Sequence, residues 1–156
     1  MNRGTLVLGI GNLLMGDEGV GVRAVEQLQR EDGLGNVTIV DGGTGGFHLL
    51  EYLQDFSPIV MIDATMDGQP AGTVAVLRPR YASDFPRSLT AHDIGLRDLV
   101  ESAALLGPMP AITLITVSIA EIKSMVTTLS PEVAAALPEV AALVRGRVNS
   151  DAPAYA

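Results

Sequence analysis

Residues 5–31, TLVLGIGNLLMGDEGVGVRAVEQLQRE, decide the reading of this chain. Thr5 to Ile10 is an apolar run with β-branched residues, bounded by glycine, and reads as a strand buried on both faces. From Asp17 to Glu31 the apolar residues Val20, Val22, Val25 and Leu28 recur at near-helical spacing, with Asp17 as N-cap and Glu18 in the first turn. A buried strand, a glycine-rich loop and an amphipathic helix are the opening of an α/β protein. The loop invites a dinucleotide-binding reading, but the third glycine of G-x-G-x-x-G would fall on Leu14. Asp17 and Glu18 also put two negative charges where a pyrophosphate would meet the helix N-terminus. The same place suits a cation.

The pattern continues outward. Val37–Val40 is a second buried strand ending in Asp41 and the turn DGGTGG, followed by a second helix marked by Phe47, Leu49, Leu50 and Leu53. Ile59–Ile62 is a third strand, ending at Asp63. The turn to the next strand, Thr73–Leu77, is too short for a crossover helix, so that strand runs antiparallel to its predecessor. A helix over Ile94–Leu106 and a fifth strand over Ile112–Ile119 follow. Ser130-Pro131-Glu132 opens a last helix, which Pro138 kinks or divides. The expected fold is an α/β three-layer sandwich whose five-stranded sheet is mostly parallel with one antiparallel strand. One domain covers residues 1–148, and residues 149–156 form a disordered tail.

Composition narrows the function. The 156 residues are 47% hydrophobic and 18% charged, enough for a sizeable core, and the formal net charge is −8. An acidic chain is a poor partner for nucleic acid or an anionic membrane. Cysteine is absent, which excludes disulfides, thiolate metal sites and a cysteine nucleophile. His48 and His92 are the only imidazoles. The uncharged stretch of 19 residues from Ser102 to Ala120 contains two prolines, and reads as a helix end, a turn and a buried strand rather than a membrane span. No stretch reads as a targeting segment, and a cytoplasmic protein is expected.

In parallel sheets ligands bind beyond the carboxyl ends of the strands. Three carboxylates stand there: Glu18 past the first strand, Asp41 ending the second and Asp63 ending the third. Each also has an ordinary explanation. A first-turn Glu18 is favoured by the helix dipole, Asp41 and Asp63 cap turns through Asx hydrogen bonds, and His92 lies in a polar loop before the third helix. His48 reads as a helix-face residue. One histidine and two carboxylates from this set would make a three-ligand N/O site with positions left open for water or substrate.

Five segments in order carry a resemblance: GIGNLLMGDEGVG (9–21), DGGTGG (41–46), MIDA (61–64), His92 before the third helix, and LSPEV (129–133). Over about Leu6–Val144 the chain resembles the hydrogenase maturation proteases, which process the large subunit of nickel–iron hydrogenases. The resemblance implies a phosphorylase/hydrolase-like α/β sandwich. It implies an endopeptidase that removes a C-terminal extension from the large-subunit precursor after nickel insertion. It also implies metal contacts by Glu18, Asp63 and His92, and a role for Asp41 in substrate recognition or as the general base. The acidic residue of the first motif being Glu points to an uptake-type hydrogenase. Family members often carry Gly-x-x-Pro at the end of strand five; Thr116–Ala120 has neither residue, which bears on which precursor fits the adjacent cleft. The metal is either the precursor's own nickel, sensed by an otherwise empty site, or a divalent ion the protein holds itself. Two rival functions share the same crevice: a nucleotide- or flavin-binding module, and a metal-sensing chaperone that does not cut.

Overall fold

The computed structural model describes residues 2–31, 34–86, 89 and 95–149. Its five strands, β1 (Thr5–Gly9), β2 (Val37–Asp41), β3 (Ile59–Thr65), β4 (Val74–Leu77) and β5 (Ile112–Ser118), form one sheet in the order β2-β1-β3-β5-β4. All neighbours are parallel except β4, which pairs antiparallel with β5. The direction expected for Thr73–Leu77 is therefore found, although β5 separates this strand from its predecessor. The near-continuous apolar runs are β1, β3 and β5, the three central strands, covered on both faces. β2, expected to be buried, is an edge strand and only half-buried.

The helices are α1 (Val20–Arg30), α2 (Leu50–Asp55), α3 (Leu96–Leu106), α4 (Pro131–Ala134) and α5 (Leu137–Asn149). Their placement follows from the strand order. The chain moves one way from β1 to β2 and the opposite way from β2 back to β3 and on to β5, so right-handed crossovers put the connecting helices on opposite faces. One core joins α1 and α5 to Val7, Val60, Ile62 and Ile115; the other joins α2 and α3 to Leu6, Leu8, Met61 and Leu114.

Three local readings change. Before α1 the chain makes a 3₁₀ turn over Gly16–Gly19, and Met15 and Gly19, not Asp17, hold the two N-cap positions. β3 does not stop at Asp63; it runs on to Thr65 because β5 continues to pair with it as far as Ser118. Pro138 divides the last helix as expected and stands in the first turn of α5, where its missing N–H is not needed. Asn149 closes α5, and the remaining residues expected as a tail, 150–156, lie outside the described residues.

Candidate active site

The reversal of strand order occurs at β1, so the crevice for a ligand lies between the carboxyl ends of β1 and β3. The loop leaving β1 rises at this point and is pressed hard onto the sheet. A Cβ on Gly21, at the start of α1, would lie 2.3 Å from the carbonyl oxygens of both Ile10 and Ile62. A Cβ on Gly11 would lie 2.4 Å from the carbonyl oxygen of Glu18. Gly11 and Gly21 are thus consumed in backbone-on-backbone packing rather than in cradling a pyrophosphate. In place of a phosphate, the Glu18 carboxylate accepts the loop N–H of Asn12 at 2.5 Å.

Glu18 is only 5% exposed. The 3₁₀ turn that carries it packs against β3, the strand that carries Asp63. Asp63 follows Ile59 and Met61 on the face of α2 and α3 by the alternation of a strand, and is the first polar residue on that face of β3. It is half-buried, and its Oδ1 accepts the N–H of Ala64 at 2.8 Å. A buried carboxylate and a half-buried one thus stand on adjoining elements at the switch point.

The neighbouring Asp17 has a different job. Its two carboxylate oxygens accept the backbone N–H and the hydroxyl of Ser130, each at 2.7 Å. This ties the 3₁₀ turn to the start of α4, 113 residues away. Ser130 is the N-cap residue of α4, but its side chain makes no cap bond because it is turned towards Asp17. The LSPEV and GDEG motifs are therefore one structural unit, a link that no spacing along the chain reveals.

Asp41 is exposed, and its Oδ1 accepts the N–H of Gly43 at 2.8 Å, the Asx bond of a sharp turn in which Gly43 has φ +56°. Asp41 pairs with Gly9 and Gly9 with Ile62, so two inter-strand spacings, roughly 10 Å in all, separate Asp41 from β3. It belongs to the rim of the crevice. His48 sits on the 3₁₀ turn Phe47–Leu49 and is exposed.

His92 lies outside the described residues. Its flanks are described: Phe85 and Leu96 are both buried in the core beneath α2 and α3, and Arg97 Nε donates to the Phe85 carbonyl at 2.5 Å. Among the described residues no three His, Asp or Glu side chains gather around one point; Glu18 and Asp63 stand on adjoining elements, the 3₁₀ turn and β3. Ser118, the one hydroxyl at the end of β5, is 1% exposed and donates to Asp67 Oδ1 at 2.9 Å. It is closed to a substrate.

Comparisons with known proteins agree with this fold. Residues 22–146 match the family model of the hydrogenase maturation proteases. The hydrogenase expression/formation protein HupD of Rhodobacter capsulatus is 37% identical over 133 residues, 83% of this chain and 63% of that protein. HupD of Bradyrhizobium diazoefficiens is 40% identical over 110 residues, 67% of this chain and 56% of that protein. The chain thus spans less than two thirds of the length of these curated relatives. The structure of the hydrogenase maturating endopeptidase HybD from E. coli superposes with a TM-score of 0.78 at 31% identity, covering 92% of this chain and 90% of that one.

Proposed function

The chain belongs to the hydrogenase maturation protease family, and on that premise we propose that it is an endopeptidase. Its substrate is the nickel-loaded large-subunit precursor of a nickel–iron hydrogenase, from which it removes the C-terminal extension. The observation that carries this reading is the buried Glu18 carboxylate at the β1/β3 switch point, on a turn packed against the strand of Asp63. Burying a carboxylate is costly without a compensating partner. The N–H of Asn12 donates to it and fixes its orientation, and a carboxylate at a strand-end crevice is an oxygen donor of the kind a divalent cation takes.

Glu18 and Asp63 supply oxygen donors, and His92, three residues ahead of the N-cap residue of α3, supplies the nitrogen. That donor set suits a divalent first-row ion such as nickel. The nickel arrives with the precursor and is part of the substrate, which makes cleavage conditional on its insertion. Bound nickel polarises a nearby carbonyl and acidifies a nearby water. The chain's own residues hold the precursor's end at the crevice mouth. Water is the default nucleophile: cysteine is absent, and the Ser118 hydroxyl is buried and committed to Asp67. Asp41, at the rim and committed to its turn through one oxygen, selects the precursor rather than joining the donor set. A cytoplasmic setting accords with this substrate, and no helix among the described residues is long and apolar enough to cross a membrane.

Incubation of the nickel-loaded precursor with wild-type protein and with Glu18→Gln, followed by intact-mass measurement, tests the reading. The wild type removes the extension and Glu18→Gln does not. An unchanged precursor mass with the wild type would overturn the assignment.

A further inference from the structure

We propose that the loops around the crevice form one pre-organised apolar rim that docks the folded body of the precursor, apart from the cleaved segment. This rests on the endopeptidase reading above. Four of the exposed large apolar side chains project from loops that follow the carboxyl ends of strands. They are Leu14 after β1 (51% exposed), Phe47 after β2 (53%), Met66 after β3 (47%) and Met125 after β5 (79%).

These loops are stitched together. Gly11 N–H donates to the Gly43 carbonyl at 2.7 Å, joining the first loop to the second. Gly16 N–H donates to the Val126 carbonyl at 2.7 Å, joining the first to the last, beside a parallel bridge between Met15 and Val126. Ile119 N–H donates to the Thr65 carbonyl at 2.9 Å, and Ser118 Oγ to Asp67, joining the last to the third. The apolar side chains are therefore mounted on a braced frame, which lowers the ordering cost of an interface.

Met125 is the sharpest signal. Its φ of +62° makes it the one non-glycine residue with positive φ among the described residues. A bulky side chain in that region is a strained exception. The strain does not serve burial, since the side chain it presents faces solvent. Methionine and phenylalanine are apt for such a role, one adapting to a partner's contour and the other anchoring it.

The charge on the frame says what kind of partner fits. Among the described residues these loops and strand ends carry Asp17, Glu18, Asp41, Asp63, Asp67 and Glu121 against Lys123, which lies 3.4 Å from Glu121, and Arg23 of α1, whose guanidinium donates to the Thr127 carbonyl at 2.6 Å. An apolar rim set in negative charge fits a protein surface whose apolar patch is flanked by Lys or Arg. Continuity of the rim with the crevice makes that surface the precursor's own, beside the chain end being cut.

The test is binding of the full-length nickel-loaded precursor to immobilised Leu14→Gln, Phe47→Gln and Met125→Gln, their triple combination and wild type. Leu105→Gln serves as control, since Leu105 is 87% exposed on the last turns of α3, away from these loops. Single-turnover cleavage at saturating precursor is measured alongside. Each rim variant is expected to weaken binding by about thirtyfold, the lower end for a hot-spot truncation, with an unchanged saturating rate. Leu105→Gln binds as wild type, and wild-type affinity falls as salt rises. Alanine versions of the same residues repeat the measurement should a glutamine variant fold poorly. A triple variant that binds like wild type, or rim variants that cut slowly at unchanged affinity, would overturn the proposal. Rim-dependent binding without cleavage would sustain the rim and refute the endopeptidase reading; no binding of precursor by the wild type would refute both.

Discussion

On the proposed reading the acidic pair Asp17-Glu18 divides into a structural and a functional member, and the two are separable by experiment. Asp17 accepts two hydrogen bonds of 2.7 Å from Ser130 in a half-buried setting. Bonds to a charged group contribute roughly 1.5–3 kcal/mol each, and partial exposure argues for the lower end. Asp17→Ala leaves the Ser130 N–H and hydroxyl without their acceptor, for a loss of about 2–3 kcal/mol in all. For a chain of this size that is a fall in Tm of about 4–12 °C, at roughly 2–4 °C per kcal/mol. Ser130→Ala keeps the N–H bond and loses only the hydroxyl's, about half as much. The two changes share a partner, so the double variant should fall short of the sum by about 1 kcal/mol. Urea unfolding of the four proteins measures this cycle. Below its lowered Tm, Asp17→Ala still processes precursor. Glu18→Gln does the reverse: its amide oxygen keeps the Asn12 bond, the protein stays folded, and processing is lost. An Asp17→Ala protein with wild-type Tm and no activity would refute the division.

Gly21→Ala should cost more than about 4 kcal/mol, because its Cβ would collide with two carbonyl oxygens of the sheet; a urea midpoint near wild type would show that the loop is not pressed onto β3. Asp63→Asn and His92→Ala should each abolish processing while leaving Tm within a few degrees, read by intact mass and calorimetry; full processing by either variant removes that residue from the donor set. Asp41→Asn should keep its turn, because asparagine makes the same Asx bond. It should raise KM for the precursor or change which precursor is cut, with the saturating rate held; a rate lower by the roughly 10²–10⁴-fold of a lost acid–base group would make Asp41 the general base instead.

Strand runs were the most legible part of the sequence. β1, β3 and β5 have near-continuous apolar residues because both faces are covered, and that pattern is visible without a structure. The same pattern misjudged Val37–Val40, since four apolar or β-branched residues look alike at an edge and in a centre; only the strand order distinguishes them. The short link before β4 fixed its direction but not its neighbour, because pairing depends on β5, which arrives later in the chain. Glu18 and Asp63 were legible as carboxylates at strand ends because alternating strands and helices bring those ends together. The role of Asp17 was not, since its partner is 113 residues away and a first-turn carboxylate has a sufficient local explanation as an N-cap. Leu14, Phe47, Met66 and Met125 were equally invisible: single apolar residues in separate loops have no period, and only the hydrogen bonds between loops collect them.

On the proposed reading, cutting is licensed by nickel already seated in the precursor and met by Glu18, Asp63 and His92. The most direct measurement is the fraction of precursor cut in a single turnover by metal-free protein, plotted against the fraction of precursor molecules loaded with nickel. The expected result is a straight line through the origin, with no product at zero nickel. Equal cleavage of nickel-free and nickel-loaded precursor would contradict the account.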